Sequence, residues 1–232
     1  MKILITSGGT KVKIDDVRYI GNMSTGRFGT EIARECLLAG HDVTLLRAKN
    51  SKSLVKREID LNQFELSDVA QYKKEFDLYK NRLHETIYST FEEYMSLLFR
   101  LLEKDSYDVI VMCAAVSDYG VLNQVDGKID SSGNVDIKLF PYPKTINKIK
   151  TITPDSKLVG FKLLVDSTEE ELIAASRKSI KNNNCDLIVA NDLRDIKMSN
   201  HKIMMITEES IDKFDDKKDN LAKIVCQFIN EL

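Results

Sequence analysis

Short aliphatic and β-branched runs recur along the chain at 3–6, 42–46, 108–113, 157–161 and 186–190. Each predicts a strand buried on both faces of a parallel sheet. Between them, 30–39, 91–103 and 169–181 carry apolar residues at helical spacing, and Asn182-Asn183-Asn184 predicts a helix stop. A further strand is expected at 203–206 and a closing helix at 220–232. Strands alternating with helices of this length make βαβ units, so the expected fold is a doubly wound, mostly parallel, Rossmann-like α/β sheet with helices on both faces. One domain over 1–232 is expected.

Two segments break this rhythm. Residues 49–88 are charged and poor in Gly and Pro, which reads as an insertion with helical pieces and a solvated face. Within 121–143, Gly127-Lys128-Ile129 and Val135-Asp136-Ile137-Lys138-Leu139 flank Ser131-Ser132-Gly133-Asn134. That pattern predicts a projecting β-hairpin, either a flap over a site or a dimer arm.

Composition narrows the classes. The 232 residues hold 34 Lys+Arg against 36 Asp+Glu, a net charge of −2 that gives no global case for nucleic acid. The longest apolar run, 109–116, is less than half of a membrane span of roughly 20 residues. The four cysteines, Cys36, Cys113, Cys185 and Cys226, form no Cys-x-x-Cys pair and read as free thiols of a reducing compartment. A strand directly after Met1 leaves no room for a signal peptide, so a soluble cytoplasmic protein without membrane or nucleic-acid partners is expected.

Candidate chemistry follows the first strand. Ser7-Gly8-Gly9-Thr10 is followed by Arg18-Tyr19-Ile20-Gly21-Asn22-Met23-Ser24-Thr25-Gly26-Arg27-Phe28-Gly29. Gly26 and Gly29 admit close backbone approach, Ser24 and Thr25 offer helix caps, and Arg18 and Arg27 add positive charge, together an expected phosphate site. The loop lacks the third glycine of a dinucleotide fingerprint, and it lacks the Lys and Ser/Thr of a P-loop. None of the eight tyrosines has a Lys four residues on, which disfavours a reductase. After the third strand, Cys113-Ala114-Ala115-Val116-Ser117-Asp118-Tyr119 reads either as close packing with an N-cap or as a ligand wall. His41, His84 and His201 show no metal-site spacing, and no metal ligands are expected.

Taken in order, Ser7-Gly8-Gly9-Thr10, Val17-Arg18-Tyr19-Ile20-x-Asn22-x-Ser24-Thr25-Gly26-x-x-Gly29, Ala114-Ala115-Val116-Ser117-Asp118-Tyr119, Gly127-Lys128-Ile129, Gly160-Phe161-Lys162 and Asp186-Leu187-Ile188-Val189-Ala190-Asn191-Asp192 resemble phosphopantothenoylcysteine synthetase. The likeness is to the stand-alone form, without a fused decarboxylase, and leaves out 49–88 and the C-terminal tail. It implies a dimeric ligase of coenzyme A biosynthesis that joins 4′-phosphopantothenate to L-cysteine through an acyl-nucleotide. CTP or ATP is the co-substrate, with Mg²⁺ on the triphosphate. The resemblance implies catalytic roles for Asn22 and Lys128, and substrate contacts from Arg18 (across the dimer), Asn22, Ala114, Ala115 and Asp118. It implies nucleotide contacts from Gly8, Ser24, Gly26, Gly29, Asp118, Lys128, Phe161, Lys178 and Lys181. Phe140-Pro141-Tyr142-Pro143-Lys144 departs from the family's pattern after the hairpin. A nucleotide-binding regulator without turnover is the alternative.

Overall fold

The computed structural model describes residues 1–55, 66–197 and 200–232. Its first half runs β1 (Lys2–Ser7), β2 (Lys11–Lys13), β3 (Tyr19–Gly21), α1 (Arg27–Leu38), β4 (Asp42–Ala48), α2 (Leu66–Tyr79), β5 (Leu83–Tyr88), α3 (Phe91–Lys104) and β6 (Val109–Met112). The second half runs β7 (Tyr119–Val121), β8 (Leu139–Pro141), a 3₁₀ turn (Thr145–Lys148) leading into α4 (Ile149–Ile152), then β9 (Lys157–Leu164) and α5 (Glu169–Asn183). It closes with β10 (Leu187–Asp192), α6 (Leu193–Lys197), β11 (Lys202–Ile206), β12 (Ile211–Asp215) and α7 (Leu221–Glu231).

Eight strands form one sheet in the order β12-β11-β10-β9-β6-β1-β4-β5. The pairings from β10 through β5 are parallel, and β11 and β12 are antiparallel. Alternate strand residues feed two cores. Ile3, Ile5, Val43, Val111 and Val189 pack on the layer of α1, α2 and α7. Leu4, Leu46, Ile110, Leu158 and Ile188 pack on α3, α4 and α5. Leu98, fully buried in α3, is typical of these contacts, and burying one such side chain stabilises by about 1.5–3 kcal/mol.

Three helices begin as their sequences dictate. Thr90 with Glu93 and Thr168 with Glu171 form capping boxes on α3 and α5, and the Asn220 side chain accepts from Lys223 N on α7. The expected stop is met as well, since α5 ends at Asn183 with Asn184 left-handed at φ 52°.

Two expectations change. Residues 83–88 are a strand of the main sheet, with β5 lying parallel to β4 at the sheet edge. His84 and Ile87 are exposed there, so the segment lacks the continuous apolar run of a central strand. Residues 56–65 of the expected insertion lie outside the described residues. The projecting element exists, but its paired strands are β7 and β8 at its base. Gly127-Lys128-Ile129 and Val135–Ile137 are unpaired loop rather than hairpin strands. The alternation at 135–139 needs an apolar surface to pack on, and within one chain Val135, Ile137 and Leu139 remain exposed.

Candidate functional site

The chain leaves β1 toward β4 and β5, then returns through α3 to β6 on the other side of β1. The carboxyl ends of β1 and β6 are therefore the topological switch point of the sheet, where open α/β folds bind ligands. The two loops that emerge there are stitched together. Ala115 N donates to Gly8 O at 2.8 Å and Thr10 N to Ala115 O at 3.2 Å. Ser117 N donates to Thr10 Oγ1 at 2.8 Å, and Ala114 N donates to Thr6 Oγ1 at 3.1 Å. Ser7, Thr10 and Ser117 are buried polar groups whose hydroxyls hold this frame.

The start of α1 is drawn onto that frame by absent side chains. Gly26, at φ +68°, is the N-cap, and a Cβ there would sit 2.5 Å from Ser51 Cβ. A Cβ on Gly29 would lie 2.8 Å from Ser7 Oγ and 3.2 Å from Cys113 Sγ. Ser7 Oγ instead donates to Gly26 O at 2.8 Å. Gly8, at φ +87°, passes equally close to Ala48. Ser24 and Thr25 do not cap the helix as expected: their hydroxyls accept from Gly26 N and Arg27 N, each at 3.3 Å, and shape the turn before it. Gly26 gives the helix no side-chain cap, and with Arg27 N held by Thr25 the next N–H groups of the first turn and the positive dipole end are available to an anion. Beside it opens a cleft of about 470 Å³ lined by Thr10, Asn22, Ser24, Thr25, Lys49 and Ser51 among others.

Asn22 reaches this frame directly. Its Nδ2 donates to Ala115 O at 3.1 Å and Val116 O at 3.2 Å. A flipped amide would set Oδ1 against two carbonyls, so the amide orientation is fixed. Asp118 lies on the far side of the same loop and is ion-paired with Lys144, a residue of the departing segment after the hairpin. That segment is held by Tyr142, whose ring stacks on Phe91 at 3.8 Å and whose hydroxyl donates to Glu92. Cys113 sits against Gly29, and burial pushes its thiol up to about 12, so it stays neutral near pH 7.

Lys128 is placed by residues that the sequence did not single out. Asp16 exchanges two hydrogen bonds with Gly127, each 2.9 Å, and Asp15 Oδ2 accepts from Ile129 N at 3.1 Å. Asp15 also accepts from Val17 N, Arg18 N and the Arg18 guanidinium. Arg18, expected to serve a partner subunit, is thus engaged within its own chain, and its Nη1 also approaches Ile129 O at 3.4 Å. The partners are more than a hundred residues apart in sequence, so no local motif marks them.

Phe161 and the two helix lysines are not brought together. Phe161 faces the α1 layer, with its ring edge-on to Phe28 at 6.1 Å, and Phe28 meets His201 at 5.1 Å. Lys178 and Lys181 belong to α5 on the opposite face, exposed in the half of the helix that runs toward the amino ends of the strands. At 1.5 Å per residue they lie roughly 13 and 18 Å along the axis from the start of α5. A second cleft, about 320 Å³ between α5 and β10–β12, holds none of the expected site residues.

Residues 1–73 and 91–232 match the family model described as DNA/pantothenate metabolism flavoprotein C-terminal domain. The chain belongs to this family. The part of this family member outside the match, 74–90, holds the end of α2 and β5. Among similar proteins, the coenzyme A biosynthesis bifunctional protein CoaBC of Thermococcus kodakarensis is 35% identical over 88% of this chain and 44% of its own length. Phosphopantothenate–cysteine ligase 1 of Arabidopsis thaliana is 29% identical over 82% of this chain and 69% of its own. The chain spans about half the length of the CoaBC relatives it matches first. The crystal structure of the DNA/pantothenate metabolism flavoprotein from Streptococcus pneumoniae superposes with a TM-score of 0.80 at 30% identity, covering 100% of this chain and 99% of that one. A Cab2 mutant in complex with phosphopantothenate-cysteine shares the fold, with a TM-score of 0.86 at 22% identity over 99% and 85% of the two chains.

Among the described residues no helix is long and apolar enough to cross a membrane.

Proposed function

We propose that this family member is a phosphopantothenate–cysteine ligase of coenzyme A biosynthesis, acting in the cytoplasm on CTP or ATP. The observation that carries the reading is the uncapped start of α1 at the switch point, flanked by Asn22 and the alanine loop. In the first step a carboxylate oxygen of 4′-phosphopantothenate attacks the α-phosphorus, and the bond to the departing pyrophosphate breaks. Two anions must meet, so the site needs positive charge and N–H donors. The first turn of α1 with Ser24, Gly26 and Gly29 receives phosphate oxygens, and Gly8 keeps β1 close enough for this. Lys128 supplies positive charge from the loop. In the second step the amine of L-cysteine attacks the acyl carbon, the bond to the nucleotide phosphate breaks, and the amine loses a proton. Asn22 Nδ2 is committed to Ala115 O and Val116 O, which leaves Oδ1 to accept from the incoming amine. Ala114 and Ala115 form a wall whose small side chains let its backbone groups approach the substrate, and Asp118 exchanges Lys144 for a ligand donor. Phe161 lies on the α1 side of the nucleotide.

Magnesium fits as part of the nucleotide. Among the described residues no group of three His, Cys, Asp or Glu side chains gathers as a cage, and Mg²⁺ usually travels with substrate phosphates.

A homodimer accounts for the apolar surface of the small sheets. Val17, Met23, Tyr119, Leu122, Val135 and Ile137 are all exposed there, Met23 by 99%, a concentration that marks an interaction surface. Arg18 would then reach a neighbouring site from within it.

Mass-spectrometric detection of phosphopantothenoylcysteine after incubation with both substrates, Mg²⁺ and either nucleotide tests the reading. Formation of the product supports it. Nucleotide binding without product would favour the regulator reading instead.

A further inference from the structure

Residues 122–138 form an exposed loop without regular structure, yet its catalytic candidate is clamped on both sides. Gly127 N donates to Asp16 Oδ2 and Gly127 O accepts from Asp16 N, each at 2.9 Å. Ile129 N donates to Asp15 Oδ2 at 3.1 Å. Val125 N donates to Ile14 O at 3.1 Å, extending the seam by one more bond. Lys128 therefore projects from the one stretch of the loop that is fixed to the body of the protein at successive points. Asp15 is the hub. Its side chain is fully buried, and besides Ile129 it gathers Val17 N at 2.8 Å, Arg18 N at 2.6 Å and the Arg18 guanidinium.

We propose that Asp15 is a positioning residue for the ligase reaction: one buried carboxylate that fixes the backbone of Lys128, through Ile129 N, beside Arg18. The inference rests on the ligase reading. A carboxylate suits the task because it accepts four bonds at once, whereas an amide of the same shape presents one acceptor oxygen and one donor nitrogen. The clamp restricts where the Lys128 side chain can extend while leaving its charged end free. A charge held near a developing anion in advance costs no reorganisation at the moment of reaction, and misplacement by about 1 Å can cost on the order of 100-fold in rate.

Asp15→Asn tests the proposal in three arms. In steady-state pyrophosphate release it should lower kcat about 10- to 100-fold while KM for the nucleotide moves by less than about threefold. In a double-mutant cycle with Lys128→Gln, the two losses should fall well short of additive, because Asp15 acts through Lys128. Limited trypsin digestion reads the clamp without any turnover. Cleavage after Lys128 should accelerate in Asp15→Asn, while cleavage after Lys138, outside the clamped stretch, should not. If Asp15→Asn does not fold, Asp16→Ala removes the neighbouring clamp on Gly127 N from an exposed side chain and should lower kcat and accelerate cleavage after Lys128 in the same direction.

An unchanged kcat in an active enzyme, fully additive losses, or equal acceleration at Lys128 and Lys138 would each overturn the positioning role. Wild-type protein that releases no pyrophosphate would instead overturn the ligase reading, and the digestion arm would still decide whether the clamp exists.

Discussion

The seam between α1 and β1 and the loop that carries Lys128 are the two parts of the proposed anion site, and they are built by opposite means. The seam works by omission: Gly26 and Gly29 let helix backbone touch Ser7, so the donors are main-chain N–H groups locked into the core. The loop works by attachment: most of its residues are exposed, and Asp15 and Asp16 pin three of its backbone groups. A side chain added to the seam has nowhere to go, while the loop accepts side-chain changes but depends on its clamps.

That contrast can be broken by substitution. Lys128→Gln should lower acyl-nucleotide formation by about 100-fold or more while leaving the melting temperature unchanged, as measured by single-turnover assay and thermal unfolding. A melting shift as large as that of a core variant would contradict the loop's independence. Gly29→Val should do the reverse in kind, destabilising by about 1–3 kcal/mol through overpacking and reducing activity with it. Urea unfolding followed alongside turnover checks this. Asn22→Asp would set an acceptor against Ala115 O and Val116 O and cost about 1–3 kcal/mol. Capture of cysteine should suffer more than pyrophosphate release, which a comparison of the two partial reactions would resolve. Lys178→Ala and Lys181→Ala should change turnover by less than about twofold, since α5 carries both away from the switch point.

The smallest expected effect concerns pH. Burial pushes the Asp15 carboxyl up, but the N–H groups of Ile129, Val17 and Arg18 and the Arg18 guanidinium outweigh it and hold it at about 2, below the ordinary 3.8. A depressed carboxylate stabilises the fold above its ordinary value, and that contribution is lost as pH falls through the lowered one. The melting-temperature gap between wild type and Asp15→Asn should therefore be constant from about pH 8 to 5, shrink below about 4 and close near 2.

Central strands were legible in the sequence because burial on both faces forces unbroken aliphatic runs, as at Val109–Met112 and over 187–190 of β10. The edge strand β5 was not, because its exposed positions admit His84 and Ile87. The glycine-rich stretch after β1 announced a close backbone approach, yet which residue stood at the N-cap of α1 depended on the contact with Ser7 and Ser51. Alternation at 135–139 promised a strand whose packing surface a single chain does not provide. Asp15 and Asp16 gave no signal, since two acidic residues in a loop have many uses and their partners lie more than a hundred residues away.

On the ligase reading, the uncapped start of α1 and Lys128 together drive attack of a carboxylate on a nucleotide. Pyrophosphate release by the purified protein, with CTP and with ATP, measured with and without 4′-phosphopantothenate and before any cysteine is added, tests it most directly. Release should require the phosphopantothenate carboxylate, be faster with one nucleotide, and be lost in Lys128→Gln. Release independent of phosphopantothenate, or none with either nucleotide, would contradict it.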